Sequence, residues 1–294
     1  MSLHLQLTRI VGFCWAAGVF LGLTVQPQTQ TAVPTIASSQ NALGDNQKQV
    51  RGPVAVEIPA VNYSLGGNNK VEFSPTSRMP SALGQGQVKI SKEGSVSVDV
   101  QFSGLESATK FGNEFLTYVL WGSVPKGRTL KIGELSLKGD RGRVVATTVM
   151  RTFAMMVTAE PYAVVTHPSS IVILKAASSV NDTTQTALAR VELRGDYAPP
   201  GYNYEPLDTS SGYSPELIQA MNARRIAQVA SAEKYAPEKF RAAESLYQLM
   251  TATAIQEKRI SKQTLGVAKS VAQGYEDARE SAIRNQQKSG VTPP

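Results

Sequence analysis

Short apolar runs that alternate with polar residues fill the chain from residue 53 to residue 195. In one run, polar residues 95–101 alternate with apolar residues that share one strand face: Val96, Val98, Val100 and Phe102. Eight further runs have a similar strand-like character, at 54–58, 87–91, 115–122, 129–137, 143–150, 153–159, 170–175 and 189–194. Glycine-containing turns such as 138–143 separate several of them. About nine short strands without helical patterns between them predict an antiparallel all-β sandwich or barrel.

The period becomes helical after residue 213. Ser214-Pro215-Glu216 combines a capping hydroxyl, a proline at the first helical position and an acid that favours the helix N-terminus. Pro237 begins a second predicted helix, and Ser261 caps a third. Alanine-rich stripes follow at spacings of three and four residues, over 240–254 and 265–282. These patterns predict a short bundle of two or three antiparallel helices.

The fold class that follows is multidomain, with the β-sandwich preceding the helical bundle. The expected organisation is a signal peptide or N-terminal membrane anchor (1–37), a flexible lead (38–52), the β-sandwich (53–195), a Pro/Tyr-rich linker (196–213), the helical bundle (214–286) and a disordered tail (287–294).

The N-terminal segment indicates export. Arg9 precedes an apolar run of 16 residues, 10–25, which is slightly long for a signal-peptide core and short for a membrane span. Cleavage after Ala32 or Ala37 predicts a periplasmic or outer-envelope protein, whereas an uncleaved segment would anchor the chain to the cytoplasmic membrane. The single cysteine, Cys14, lies within this run, so a processed chain would have no thiol.

Charge and chemistry narrow the choice of function. The net charge is +7, but no run of Lys and Arg exceeds two residues, which is not typical of a nucleic-acid binder. His167 and Ser169 lie two residues apart, yet no G-x-S-x-G elbow is present, and Pro168 favours an extended or turn conformation. We therefore interpret this stretch as β-structure with turns, and Glu160-Pro161 as a strand end whose carboxylate binds turn amides. No catalytic residue, cofactor or metal site is predicted.

Tyrosines in the linker and the helices are the candidate partner contacts. They are Tyr202, Tyr204, Tyr213, Tyr247 and Tyr275. The alternative for the linker tyrosines is packing against their own domain. Charged residues of the helices, including Arg224, Arg225 and the group Glu276-Asp277-Arg279-Glu280, are expected on solvated faces.

Two resemblances add to this interpretation. Tyr118-Val-Leu-Trp121, Lys131-Ile-Gly133 and Val157-Thr-Ala-Glu-Pro161 resemble the extracytoplasmic β-domain of anti-sigma-K-type factors, over about 115–175. This resemblance implies a β-sandwich outside the cytoplasmic membrane. Residues 214–286, with Tyr235-Ala-Pro-Glu238 between alanine-rich helices, resemble an uncharacterised helical domain of bacterial envelope lipoproteins. Such proteins often continue into a peptidoglycan-binding domain. Only the tail 287–294 follows the helices in this sequence, so the resemblance does not imply peptidoglycan binding.

The sequence thus predicts a non-enzymatic exported cell-envelope protein that acts as a structural or adaptor binding module. Its expected partner is an envelope protein, or a second copy of the chain, bound through the helical bundle. No nucleic-acid partner is expected, and membrane contact is expected only through an uncleaved N-terminus. The alternatives are a sensor or regulator of envelope state, and a carboxylate-dependent cell-wall hydrolase.

Overall fold

The computed structural model describes residues 54–66, 69–177, 185–195, 197–209, 212–257 and 260–291. All of them belong to one compact unit. The predicted signal segment and flexible lead lie outside the described residues.

Within the described residues, eleven antiparallel strands form the β-part. They are β1 (Val54–Asn62), β2 (Lys70–Pro75), β3 (Leu83–Ile90), β4 (Val96–Ser103), β5 (Thr117–Ser123), β6 (Thr129–Glu134), β7 (Ser136–Lys138), β8 (Arg141–Thr148), β9 (Thr152–Glu160), β10 (Val172–Ala177) and β11 (Gln185–Leu193).

Strand β9 joins the two halves of the β-part. Its start pairs with β1 and its middle with β10, while β5 lies along its other edge. From β10 the order continues through β2, β3, β4 and β8 to β7, and β1 carries β11 on its outer edge. This sandwich-like antiparallel arrangement confirms the predicted β class. Strand β5 is buried at all seven positions, and Trp121 and Tyr118 are among its core side chains.

The alternation in β4 is confirmed. Its four apolar residues are at most 3% exposed, whereas Ser97, Asp99 and Gln101 lie on the other face. The predicted run 129–137 is in fact two strands, because Leu135 turns into the core and its amide donates to Tyr118 O at 2.9 Å.

Four helices follow, α1 (Pro215–Val229), the single turn α2 (Ala232–Tyr235), α3 (Pro237–Gln256) and α4 (Lys262–Lys288). All three predicted starts are confirmed, and the hydroxyls of Ser214 and Ser261 accept from amides in the first turns of α1 and α4. Helix α4 lies between α1 and α3 and ends at Lys288, within the segment expected to be a disordered tail.

Small residues bring α3 and α4 together. A Cβ placed on Gly274 would lie 3.1 Å from the Cβ of Ala243. The predicted stripes are buried at Phe240, Ala243, Met250, Ala268, Ala272, Tyr275, Ala278 and Ala282. The helical bundle is therefore confirmed, with these residues as its core.

Candidate functional site

A buried carboxylate marks the end of the β-part that faces the helices. Glu160 is the last residue of β9 and is fully buried. One carboxylate oxygen accepts from the Thr158 hydroxyl and from the Ser169 amide, the latter at 2.8 Å. The other oxygen accepts from the Tyr197 hydroxyl at 3.0 Å. The predicted strand end, with a carboxylate bonded to a turn amide, is confirmed.

Burial determines the electrostatics of this carboxylate. Removal from water raises the pKa of Glu160 to about 8, although the hydrogen bonds from Thr158, Ser169 and Tyr197 act in the opposite direction. Burial likewise raises the pKa of Tyr197 well above its usual range. The environment of Glu160 thus favours its protonated form relative to that of an exposed glutamate.

The second buried carboxylate, that of Glu276, comes from α4, and its burial shows that one prediction was wrong. Glu276 and Arg279 were expected on a solvated face, but their side chains are only 1% and 5% exposed. Glu276 accepts from the Tyr162 hydroxyl at 2.7 Å and from Arg279 Nε at 3.1 Å. The Arg279 guanidinium also lies 4.8 Å from the centre of the Tyr197 ring. Burial alone would lower the pKa of Arg279, but the combined interactions with Glu276, Tyr162, Tyr197 and Glu280 outweigh this effect and raise the pKa.

Helix α1 makes a parallel set of polar contacts with the β-part. The Gln219 amide accepts from Ala163 N at 2.7 Å and donates to Glu134 Oε1 at 2.6 Å. Asn222 donates to the carbonyls of Glu114 and Pro161, at 2.7 and 2.9 Å. Each of these hydrogen bonds joins helix α1 to the β-part, so together they fix the orientation of the helices relative to the β-part.

The two arginines of α1 also depart from the expected solvated face. Arg225 donates to Asn113 O at 2.6 Å and stacks on the Tyr204 ring at 4.9 Å. Arg224 forms a bidentate pair with Glu244 of α3, at 2.9 and 3.0 Å. Both arginines therefore connect elements of the fold instead of facing water alone.

The five candidate tyrosines separate into three groups by burial. Tyr204 and Tyr275 are buried, with their hydroxyls bonded to Tyr197 O and Glu244 Oε2. For Tyr204 the alternative, packing against its own domain, is confirmed, and for Tyr275 a packing role replaces the expected partner contact. Tyr247 is half-buried under Arg224. Tyr202 and Tyr213 are exposed by 47% and 42% and remain accessible.

The structure separates the histidine and serine that lie close in the sequence. The Ser169 hydroxyl donates to Ala159 O at 2.7 Å and accepts from Ile171 N at 3.1 Å. The ring of His167 instead lies 3.0 Å from the hydroxyl of Thr166. Ser169 thus joins the loop after β9 to the strands, as a β-structure interpretation of this stretch requires.

A cleft opens beside the buried network, where β6, the loop after β9, α1 and α4 meet. Its volume is about 200 Å³. Lys131 reaches it from β6 and donates to Ala163 O at 2.6 Å. The Lys131 side chain as a whole is exposed, but protein atoms crowd its ammonium, and this burial lowers its pKa. Sequence reasoning missed this cleft because its residues come from four separate segments.

A broader groove of about 520 Å³ lies on the outer face of β2, β3, β4 and β8, among polar side chains such as Gln85, Gln101 and Asp99. These side chains form the solvated side of alternating strands. The smaller cleft is the better candidate site, because it lies at an interface, beside the crowded ammonium of Lys131 and near the buried carboxylates of Glu160 and Glu276.

Two further properties concern the described residues as a whole. None of their helices has both the length and the apolar character needed to cross a membrane. Nowhere in the described ranges do three or more His, Cys, Asp or Glu side chains gather in a way that could hold a metal ion.

Comparison with known proteins adds no relative to this picture. Searches of protein families, of curated proteins and of solved structures found no match to the chain.

Proposed function

We propose that the chain is a non-enzymatic, exported cell-envelope protein that works as an adaptor binding module, and that it binds its partner through the outer face of α3. The observation that carries this proposal is an exposed stripe of uncharged, mainly apolar residues on that helix. The stripe consists of Ala242, Leu246, Leu249 and Thr253. Leu246 and Leu249 are 39% and 57% exposed.

The spacing of the stripe favours a helical partner. Its positions recur at intervals of four, three and four residues, which is the repeat by which two helices pack along a common seam. The stripe is distinct from the buried face of α3, where Phe240, Ala243 and Met250 pack. Helix α3 therefore has two apolar faces, of which the fold itself uses only one.

The rest of the structure supports this role by holding α3 in place. Helix α3 packs on α4 and is joined to α1 by the pair of Arg224 and Glu244. Helices α1 and α4 are in turn bound to the β-part through Asn222 and Glu276. A partner that docks on α3 would consequently be held in a defined orientation relative to the β-part, which is what an adaptor requires.

The stripe also indicates the chemistry of the partner. It has no charged residue, so an amphipathic helix with leucine-like residues at the same repeat is the complementary surface. Leu246 and Leu249 are 39% and 57% exposed, so covering them buries only part of each side chain, and each contributes less than the roughly 1.5–3 kcal/mol of a fully buried leucine. The exported location rests on the apolar run 10–25.

The test is crosslinking in living cells of the source organism, with a photo-reactive residue at position 242. We expect one product that maps to an amphipathic helix of an envelope protein. The change Leu246→Lys with Leu249→Lys should abolish it, whereas Ile255→Lys, an exposed position off the stripe on the same helix, should leave it intact. A product that survives the paired lysines would overturn the proposal, as would a product made of two copies of the chain.

A further inference from the structure

We propose that the interface cleft binds a small zwitterion, specifically a free α-amino acid with a small apolar side chain. This ligand site lies between β6 and the helices α1 and α4, whereas the stripe lies on α3. The inference is therefore independent of the adaptor function.

Two cations line the cleft and can bind a carboxylate. The Lys131 ammonium has three N–H donors, of which one is used by Ala163 O. Lys269 reaches the cleft from α4, and among the described residues it makes no hydrogen bond or ion pair. Both side chains thus retain donors for a ligand oxygen.

Two carboxylates supply the opposite charge. Glu134 uses Oε1 for the Thr117 hydroxyl and for Gln219, at 2.8 and 2.6 Å. Its Oε2 accepts no hydrogen bond from the described side chains. Glu216 lies in the first turn of α1, half-buried and without a partner in the described part of the chain. These oxygens can accept from an ammonium group.

The combination of charges selects the class of ligand. A phosphate-like dianion would face two carboxylates, and a polyamine would face two lysines, so each would meet repulsion. A molecule with one carboxylate and one ammonium satisfies both pairs. The apolar part of the lining, formed by Ala163, Val164 and Ala272, leaves space for a small side chain. A volume of about 200 Å³ is below that of sites for drug-sized ligands.

The test is titration of the purified chain with L-alanine and with D-alanine, in which binding is measured by calorimetry and by changes in NMR chemical shifts. N-acetylalanine lacks the ammonium and alaninamide lacks the carboxylate, so each should bind at least about tenfold more weakly, because each loses a charge-assisted hydrogen bond. Absence of binding by both alanines would overturn the proposal, and so would equal binding of a blocked analogue.

Variants connect the binding to the cleft. Lys269→Gln and Glu216→Gln alter side chains outside the buried network, so the fold should persist, and each should weaken alanine binding about tenfold. Lys262→Gln is the matched control, because this exposed lysine lies on α4 outside the cleft. Unchanged affinity in Lys269→Gln and Glu216→Gln would refute the site. The variant Leu246→Lys with Leu249→Lys should bind alanine normally, which separates this inference from the adaptor proposal.

Discussion

The buried pair of Glu276 and Arg279 offers the sharpest test of how the helices are held on the β-part. The substitution Arg279→Met keeps the volume but leaves the Glu276 carboxylate buried without its cation. Breaking a buried pair in this way typically costs about 3–5 kcal/mol. Glu276 keeps its hydrogen bond from the Tyr162 hydroxyl, so we expect a loss near the lower end, about 3 kcal/mol, including the lost contact of the guanidinium with the Tyr197 ring.

This loss in the free energy of unfolding is measured by chemical unfolding that is monitored by circular dichroism. The double variant Glu276→Gln with Arg279→Met removes both charges, and we expect it to recover about 2 kcal/mol of the loss, because no uncompensated ion remains. Arg143→Met is the matched control, since its pair with Asp99 is exposed on both sides, and it should leave the unfolding midpoint nearly unchanged. If Arg279→Met proved as mild as Arg143→Met, the buried charges of α4 would contribute little to its packing against Tyr162 and Tyr197.

Three further predictions concern other parts of the fold. Burial raises the pKa of Glu160 from 4.5 to about 8, so the free energy of unfolding should fall as the pH rises through that window, by up to about 5 kcal/mol. The variant Glu160→Gln should not show this loss. Parallel pH dependences of the unfolding midpoints of the wild type and the variant would contradict the prediction. Gly104 has a φ of +68°, and a Cβ there would lie 2.2 Å from Ser81 O, so Gly104→Ala should lower the free energy of unfolding by more than about 2 kcal/mol. Gly139→Ala, at φ +61° in open space, should lower it by about 1 kcal/mol. Equal melting temperatures of the two variants would refute the steric argument. Ser261→Ala removes the N-cap of α4 and should cost about 1 kcal/mol, measurable by thermal unfolding, and an unchanged midpoint would show that the cap is dispensable.

Local patterns predicted much of the fold. Alternation identified β4, and the capping residues identified the starts of all three long helices. The strand β2 was missed, although Val71 and Phe73 alternate with exposed neighbours. It has only six residues and ends in proline, and a pattern this short is ambiguous without knowledge of the pairing strands β3 and β10.

The interface between the helices and the β-part could not be predicted from local patterns. Glu276 and Arg279 are spaced as a surface pair on a helix, and that face becomes interior because Tyr162, from the loop after β9, and Tyr197, from the segment after β11, pack on it. Similarly, the segment expected as a linker includes Tyr197 and Tyr204, which are buried in the common core. Both departures arise from contacts between residues far apart in the sequence, which periodicity does not report.

The resemblances, the exported location and the absence of catalysis stay predictions of the sequence. The structure agrees with the fold class that the resemblances imply, but a β-sandwich by itself supports many functions. The stripe on α3 and the interface cleft are the features from which function can be tested directly.

The central claim is that the outer face of α3 is covered by a partner in the cell. Thiol labelling of single-cysteine chains measures this directly, with Cys14→Ser as background and Leu249→Cys or Ile255→Cys as the labelled site. Both positions should react rapidly in the purified chain, since Leu249 is 57% and Ile255 is 79% exposed. In intact cells, Leu249→Cys should react several-fold more slowly than Ile255→Cys. Equal rates at the two positions in cells would contradict the proposed docking surface.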